Sequence, residues 1–215
     1  SARVNRGKAR CKDMRDTMDI QGSALVERRE MIQQRLLDGA SGAEAMEALT
    51  ELVDGLIVGR YRNGLRQLGE EAEIAASQAC CLVALGGYGR RELAPHSDID
   101  LMVLFKSDAK ELIPDLVKTV LHPLWDAGFQ VGHSVRTIQE CLDLAAEDLT
   151  IRTSMMEARF LAGSASLFQE FHDRYARRIV GKGVDRFIDQ KLEERRREYE
   201  KFGATVYLLE PNVKK

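Results

Sequence analysis

Two apolar runs, one stopping at glycines and the next starting at acids, dictate the centre of this chain. Cys81-Leu82-Val83-Ala84-Leu85 is short and uncharged and ends in Gly86-Gly87-Tyr88-Gly89. That pattern predicts a buried strand closed by a turn in which glycine lets the backbone bend tightly. Eight residues beyond Arg90, Asp98-Ile99-Asp100 leads into Leu101-Met102-Val103-Leu104-Phe105, a second strand predicted over 98–105. Alternate residues of an extended strand share a face at about 6.5–7 Å, so Asp98 and Asp100 converge on one place. Neither Lys nor Arg stands between them, and two like charges there call for a cation. A hard divalent ion such as Mg2+, held by one or two carboxylates together with substrate phosphates, meets that need. The alternatives for the acids are a solvated strand edge or a cap. The apolar run behind Asp100 argues against both, because an acid entering a buried strand needs compensation.

The turn supplies the other half of the chemistry. Gly86 and Gly87 permit close approach of backbone to a ligand, and a turn beginning there presents amides to phosphate oxygens. Arg90 and Arg91 leave the turn with guanidinium groups suited to phosphate, and Ser97 adds a hydroxyl beside Asp98. A Gly-Gly-x-Gly cluster by itself more often just ends a strand. It is neither GxxxxGK[ST] nor GxGxxG, so a Walker loop and a dinucleotide fold are not supported. Its spacing from the paired acids is what points to a metal-dependent phosphate site.

The flanking sequence reads as scaffold. Leu25, Val26, Ile32, Leu36 and Leu37 predict an amphipathic helix over 22–38, broken at Gly39–Gly42. Ser41 and Glu44 form a capping-box pair ahead of a long helix over 43–68. A helix over 110–127 carries Pro114 near its first turn and is expected to be disturbed at Pro123. A third strand is predicted over 129–136, and Thr137 with Glu140 caps the helix that follows. Residues 149–163 show no clear period. Ser164 caps a helix to about Val180, and a highly charged helix runs from Val184 to about Lys201. The apolar segment Val206-Tyr207-Leu208-Leu209 stops at Pro211, which suggests a cut from a longer protein.

Bulk properties narrow the function. A net charge of −2 gives no overall attraction to nucleic acid. The basic start (Arg3, Arg6, Lys8, Arg10, Lys12 and Arg15 against Asp13) reads as a solvated terminus. Cys11, Cys80, Cys81 and Cys141 have no metal-ligand spacing, and reduced thiols in a cytoplasmic protein are expected. No apolar run approaches a membrane span of ~18 residues.

The segment from Val83 through Gly86-Gly87-Tyr88-Gly89-Arg90-Arg91 to Ser97-Asp98-Ile99-Asp100-Leu101 resembles the signature of polymerase-beta-like nucleotidyltransferases, a GG turn followed by a Dx[DE] strand. More narrowly, the chain is similar to the N-terminal transferase domain of bifunctional PII uridylyltransferases/uridylyl-removing enzymes. Val131-Gly132-His133-Ser134-Val135-Arg136-Thr137, Met156-Glu157-Ala158-Arg159-Phe160-Leu161-Ala162-Gly163 and Leu208-Leu209-Glu210-Pro211-Asn212-Val213-Lys214 extend the likeness over roughly residues 22–215.

The resemblance implies an α/β fold with a small mixed sheet, flanking helices, and helical segments at both ends. The expected organisation is a helical segment over 1–79, a nucleotidyltransferase core over 80–163 and a helical segment over 164–215. It implies transfer of UMP from UTP to a tyrosine of the PII signalling protein, with two Mg2+ ions held by three carboxylates. Asp98 and Asp100 match the first two, and Glu157 is the candidate for the third, against the alternative of a surface glutamate. Gly86, Gly87, Arg90, Arg91 and Ser97 are the expected nucleotide contacts. Alternation puts Val131, His133 and Val135 on one face of the third strand and Arg136 on the other, so His133 reads as packed rather than catalytic. Arg159 is expected to orient Glu157, touch phosphate or form a surface ion pair. The resembled enzymes also carry an HD-type phosphohydrolase domain and glutamine-sensing ACT domains. This chain has no HD metal motif and no length for them, so an isolated transferase part is expected. An adenylyl-transferring relative and a non-catalytic nucleotide-binding scaffold are the competing readings.

Overall fold

The computed structural model describes residues 26–67 and 69–202. The basic N-terminal stretch and the segment 206–215 lie outside the described residues.

The two apolar runs pair as the centre of a four-stranded mixed sheet. Strand β1 (Cys80–Ala84) is buried along its whole length and runs antiparallel to β2 (Ile99–Phe105) on one side and β4 (Arg159–Gly163) on the other. Strand β3 (Val131–Arg136) lies parallel to β2 at the edge, giving the order β3-β2-β1-β4. Both faces of the central pair are covered, which is why these strands read as continuous apolar runs. Cys80, Leu82, Ala84, Ile99, Leu101 and Val103 share one core. Cys81, Val83, Met102 and Leu104 share the other.

The helices divide between the two faces. The first core is closed by α2 (Gly42–Gln67), through Leu49, Val53, Ile57 and Tyr61, and by α5 (Ile113–Asp126), through Leu116, Val120 and Leu124. The second is closed by α6 (Ile138–Glu147), α7 (Leu149–Met156) and α8 (Ala165–Tyr175), with Phe171 at its centre. Remaining helical segments are α1 over 26–37, α3 (Glu70–Ala79), the four-residue turn α4 (Gly86–Gly89) and α9 (Val184–Phe202). A 3-10 turn (Ser107–Leu112) leads into α5, and a π-helical turn (Ala176–Val180) follows α8.

Local signals account for most boundaries. Ser41 and Glu44 make the reciprocal capping bonds at the start of α2, and Thr137 and Glu140 do so for α6. Ser164 accepts from the amide of Leu167 and caps α8. Pro114 falls in the first turn of α5, where its missing N–H costs nothing, and the helix continues through Pro123 to Asp126 rather than breaking there. β1 begins one residue early and β3 starts at Val131, two residues after its expected boundary. Three elements were not legible from periodicity: α3, set apart from α2 by Gly69 at φ 92°; α7, within the stretch 149–163 that shows no clear period; and β4, whose pairing with β1 shifts register between Leu82 and Val83. Cys80, Cys81 and Cys141 are buried and free, and burial pushes the Cys81 and Cys141 thiols up to about 12. Among the described residues no helix is long and apolar enough to cross a membrane.

The long connection between β1 and β2 is braced from the helical layer. Leu93 donates its amide to Oγ1 of buried Thr50 on α2 at 3.3 Å. Arg29 on α1 donates to the carbonyl of Pro95 at 3.2 Å, and its guanidinium lies 4.8 Å from the centre of the Phe129 ring.

Two glycines mark where a side chain is excluded and where it is tolerated. Gly163 ends β4 at φ +97°, and a Cβ there would also collide with the Cys80 carbonyl and stand 2.7 Å from the Tyr61 hydroxyl. Gly59 lies inside α2 with nothing near its Cβ direction. Gly163→Ala is expected to cost about 1–3 kcal/mol from backbone strain alone. Gly59→Ala should stabilise by about 0.5–1 kcal/mol. Urea unfolding of both variants checks the signs.

Candidate active site

The sheet register gathers the chain's chemical residues at one end. Ala84, the last residue of β1, lies opposite Leu101 on β2 and opposite Arg159 on β4. Asp100 lies opposite Gly132 on β3. The turn after β1 and the starts of the other three strands therefore meet there.

Asp98 precedes the first residue of β2 and is half-buried, while Asp100 is the exposed second residue of that strand. Leu85 donates its amide to the Asp100 carbonyl at 2.9 Å, extending the β1–β2 ladder into the turn. Ladder alternation puts Asp100 on the same face as Met102 and Leu104. Its carboxylate sits between two glycines. A Cβ at Gly132 would stand 2.8 Å from Asp100 Oδ1, and one at Gly86 would stand 3.1 Å from Oδ2. Any side chain at 132 would displace the acid. Gly86 also adopts φ +55°, a conformation that favours glycine.

The turn is pressed against the segment carrying Glu157. A Cβ at Gly89 would collide with the Glu157 backbone carbonyl, so glycine is required there by close approach. Glu157 caps the C-terminus of α7, and its Oε1 pairs with Arg90 Nη1 at 2.5 Å. Arg90 Nε also donates to Glu92 Oε2 at 2.7 Å. Hydrogen bonding first to Glu92 and then to Glu157 raises the Arg90 pKa further above its ordinary value.

Arg91 diverges from Arg90. It is the one non-glycine among the described residues with positive φ, 65°, and it reaches Glu51 of α2 at 3.5 Å. Ser97 is half-buried next to Asp98, its amide closing a turn onto the Ala94 carbonyl at 3.0 Å. His133, expected to be packed, is exposed; it lies on the α5 side of the sheet, its ring 6.0 Å from that of Trp125, away from the face that carries Asp100. Arg159 meets neither Glu157 nor solvent alone. It forms a two-pronged pair with Asp54 of α2, and Tyr88 donates its hydroxyl to the same carboxylate at 2.6 Å.

The donor set is all hard oxygen, from Asp98 and Asp100, with glycine on both sides of Asp100. That all-oxygen composition fits Mg2+. Among the described residues no group of three His, Cys, Asp or Glu side chains could hold a metal ion, and Glu157 pairs with Arg90. Gly132, Asp54 and Tyr88 escaped identification from sequence. Only Gly132 left a usable signal, because a glycine inside a strand often marks close approach of another group.

A family model described as "Putative nucleotidyltransferase DUF294" matches residues 27–140. The bifunctional uridylyltransferase/uridylyl-removing enzyme of Caulobacter vibrioides (strain NA1000 / CB15N) is 38% identical over 197 residues, 92% of this chain and 21% of that protein. The enzyme of the same name from Cereibacter sphaeroides is 41% identical over 170 residues, covering 79% of this chain and 18% of that protein. That from Nitrosospira multiformis is 39% identical over 196 residues, covering 88% and 21%. The chain thus spans about a fifth of the length of the curated relatives it matches.

The cradle around Asp100 makes a specific prediction. Gly132→Ala should unfold within about 1 kcal/mol of wild type, since β3 is an edge strand that tolerates alanine. Its affinity for Mg2+ with nucleoside triphosphate should fall at least about tenfold, because the acid must move. Calorimetric titration beside urea unfolding separates the two effects.

Proposed function

The chain belongs to the nucleotidyltransferase family that its central segment matches, and on that premise we propose that it transfers UMP from UTP to a tyrosine of the PII signalling protein. The observation that carries this reading is the carboxylate of Asp100 seated between Gly86 and Gly132, beside Asp98 and the turn Gly86–Gly89. A strand-borne acid whose oxygens lie against two glycines, next to a glycine turn and an arginine, suits a metal-bound triphosphate. The uridylyltransferase names of the relatives favour UTP as donor, and PII as acceptor rests on the resemblance to PII uridylyltransferases.

In the proposed reaction the phenolic oxygen of the acceptor tyrosine bonds to the α-phosphorus of UTP. The bond from that phosphorus to the bridging oxygen breaks, and pyrophosphate leaves. Asp98 and Asp100 would hold Mg2+, which neutralises triphosphate charge and favours the ionised form of the entering hydroxyl. Arg90, half-exposed and shared between Glu92 and Glu157, is placed to turn toward the phosphates. Its departure would leave Glu157 as the nearby carboxylate able to complete the acidic set or accept the phenolic proton. Gly86 and Gly87 let the backbone come close to the triphosphate, and Ser97 adds a hydroxyl beside Asp98. Arg91, directed to Glu51, would assist only after leaving that exposed pair, which is worth little by itself.

Incubating PII with the chain, Mg2+ and UTP, ATP, CTP or GTP in parallel tests the proposal by intact mass. A UMP adduct on tyrosine with UTP alone is the expected result. An AMP adduct would shift the assignment to an adenylyl-transferring relative, and no adduct with any nucleotide would leave a binding scaffold.

Two substitutions probe the residues. Asp98→Asn with Asp100→Asn should abolish transfer while circular dichroism stays native, and full transfer by that variant would contradict the metal role. Arg90→Ala should weaken Mg2+–UTP binding about tenfold, the size of one lost charge-assisted hydrogen bond. Unchanged affinity on calorimetric titration would make Arg90 a surface charge.

A further inference from the structure

Arg159, the first residue of β4, holds three groups at once. Nη1 and Nη2 donate to Asp54 Oδ2 and Oδ1 at 2.8 and 3.1 Å. Nη2 also donates to the Tyr88 carbonyl at 3.1 Å, and Nε donates to the Gly89 carbonyl at 3.2 Å. The guanidinium stands 5.3 Å from the centre of the Tyr88 ring. Both side chains of the ion pair are mostly buried, 22% and 20% exposed, so solvent screens them far less than the half-exposed pairs of Arg90. Burial, and then the charge of Asp54, pushes the Tyr88 phenol upward, so it stays protonated and serves as donor to Asp54.

The turn that receives these bonds closes on itself through the Arg90 amide to the Gly86 carbonyl at 3.1 Å and the Glu92 amide to the Gly87 carbonyl at 2.9 Å, yet it is costly to fix. Three of its four residues are glycine, which lose the most conformational freedom on being fixed. Its first residue, Gly86, and the residue two beyond its end, Arg91, both have left-handed backbone. Neighbours must add to those backbone bonds, and Arg159 does so where the turn exits, just before Arg90. A planar five-donor fork is suited to meeting a carboxylate and two carbonyls together; a lysine ammonium is not.

We infer that Arg159, oriented by Asp54 and Tyr88, is a positioning residue that fixes the glycine turn and Arg90 for the triphosphate. It acts through the turn and not on the substrate, because its fork is directed into Asp54 and the two carbonyls. The inference rests on the transferase reading for its ligand, but the ordering of the turn is observable without one.

The test uses the full chain with Arg159→Lys, which keeps the charge and removes the fork. Hydrogen exchange is followed at the amides of residues 87–91, with the amides of β1 and β2 as internal reference. Mg2+–UTP affinity is measured by calorimetry well below the unfolding temperature. The expected result is exchange at least about tenfold faster in the turn alone, with Kd raised about tenfold. Unchanged exchange in the turn overturns the inference. So does faster exchange with wild-type affinity, since a purely structural ion pair would behave that way. If the wild-type chain binds no nucleoside triphosphate, the transferase reading fails, and the exchange data alone decide whether Arg159 orders the turn. Should Arg159→Lys fail to fold, Asp54→Asn, which retains the arginine, gives the same two readouts.

Discussion

The hydrogen bond from the Leu85 amide to the Asp100 carbonyl joins the fold to its candidate site. It is the last rung of the β1–β2 ladder, and β1 is the strand from which the sheet is built in both directions. Beyond that rung the chain turns through Gly86–Gly89 on one side and presents an acid on the other. Register therefore decides the chemistry. A slip by one residue would move Asp100 to the opposite face, into the core with α2 and α5. Burial of Val83, Met102 and Leu104 on one face and of Leu82, Leu101 and Val103 on the other makes that slip prohibitively costly.

Around this junction the charges form two sets with different exposure. Asp54 and Arg159 are mostly buried and hydrogen-bonded on several sides, and they link α2, the turn and β4. Arg90, with Glu92 and Glu157, is more open to solvent, and its pairs are individually weak. The first set suits a fixed frame and the second suits an exchange of partners when an anionic ligand arrives. Glu157 belongs to both through its position, since its backbone packs against Gly89 while its side chain holds Arg90.

Much of this was legible in the chain because the decisive signals are local. The glycine turn, the paired aspartates and the two capping boxes each occupy a few consecutive residues, and their neighbours obey the same pattern. What was not legible depends on tertiary approach. Helix α3 is rich in Ala and Glu and buries little, so its apolar period is faint. Strand β4 is five residues long and its pairing is irregular. Arg159 and Asp54 lie 105 residues apart, and nothing local distinguishes that carboxylate from its exposed neighbour Glu51. Gly132 meets Asp100 only because β3 returns parallel to β2 after the crossover through α5.

Metal and triphosphate are proposed to bind at the end of the sheet where Asp100 lies between Gly86 and Gly132. Substituting paramagnetic Mn2+ for Mg2+ and recording amide spectra of the isotope-labelled chain with UTP tests it directly. The signals of Gly86, Gly87, Ile99, Asp100 and Gly132 should broaden beyond detection, with the broadening falling off along β2 toward Phe105. Broadening centred anywhere else on the molecule, or none in the presence of UTP, would contradict it.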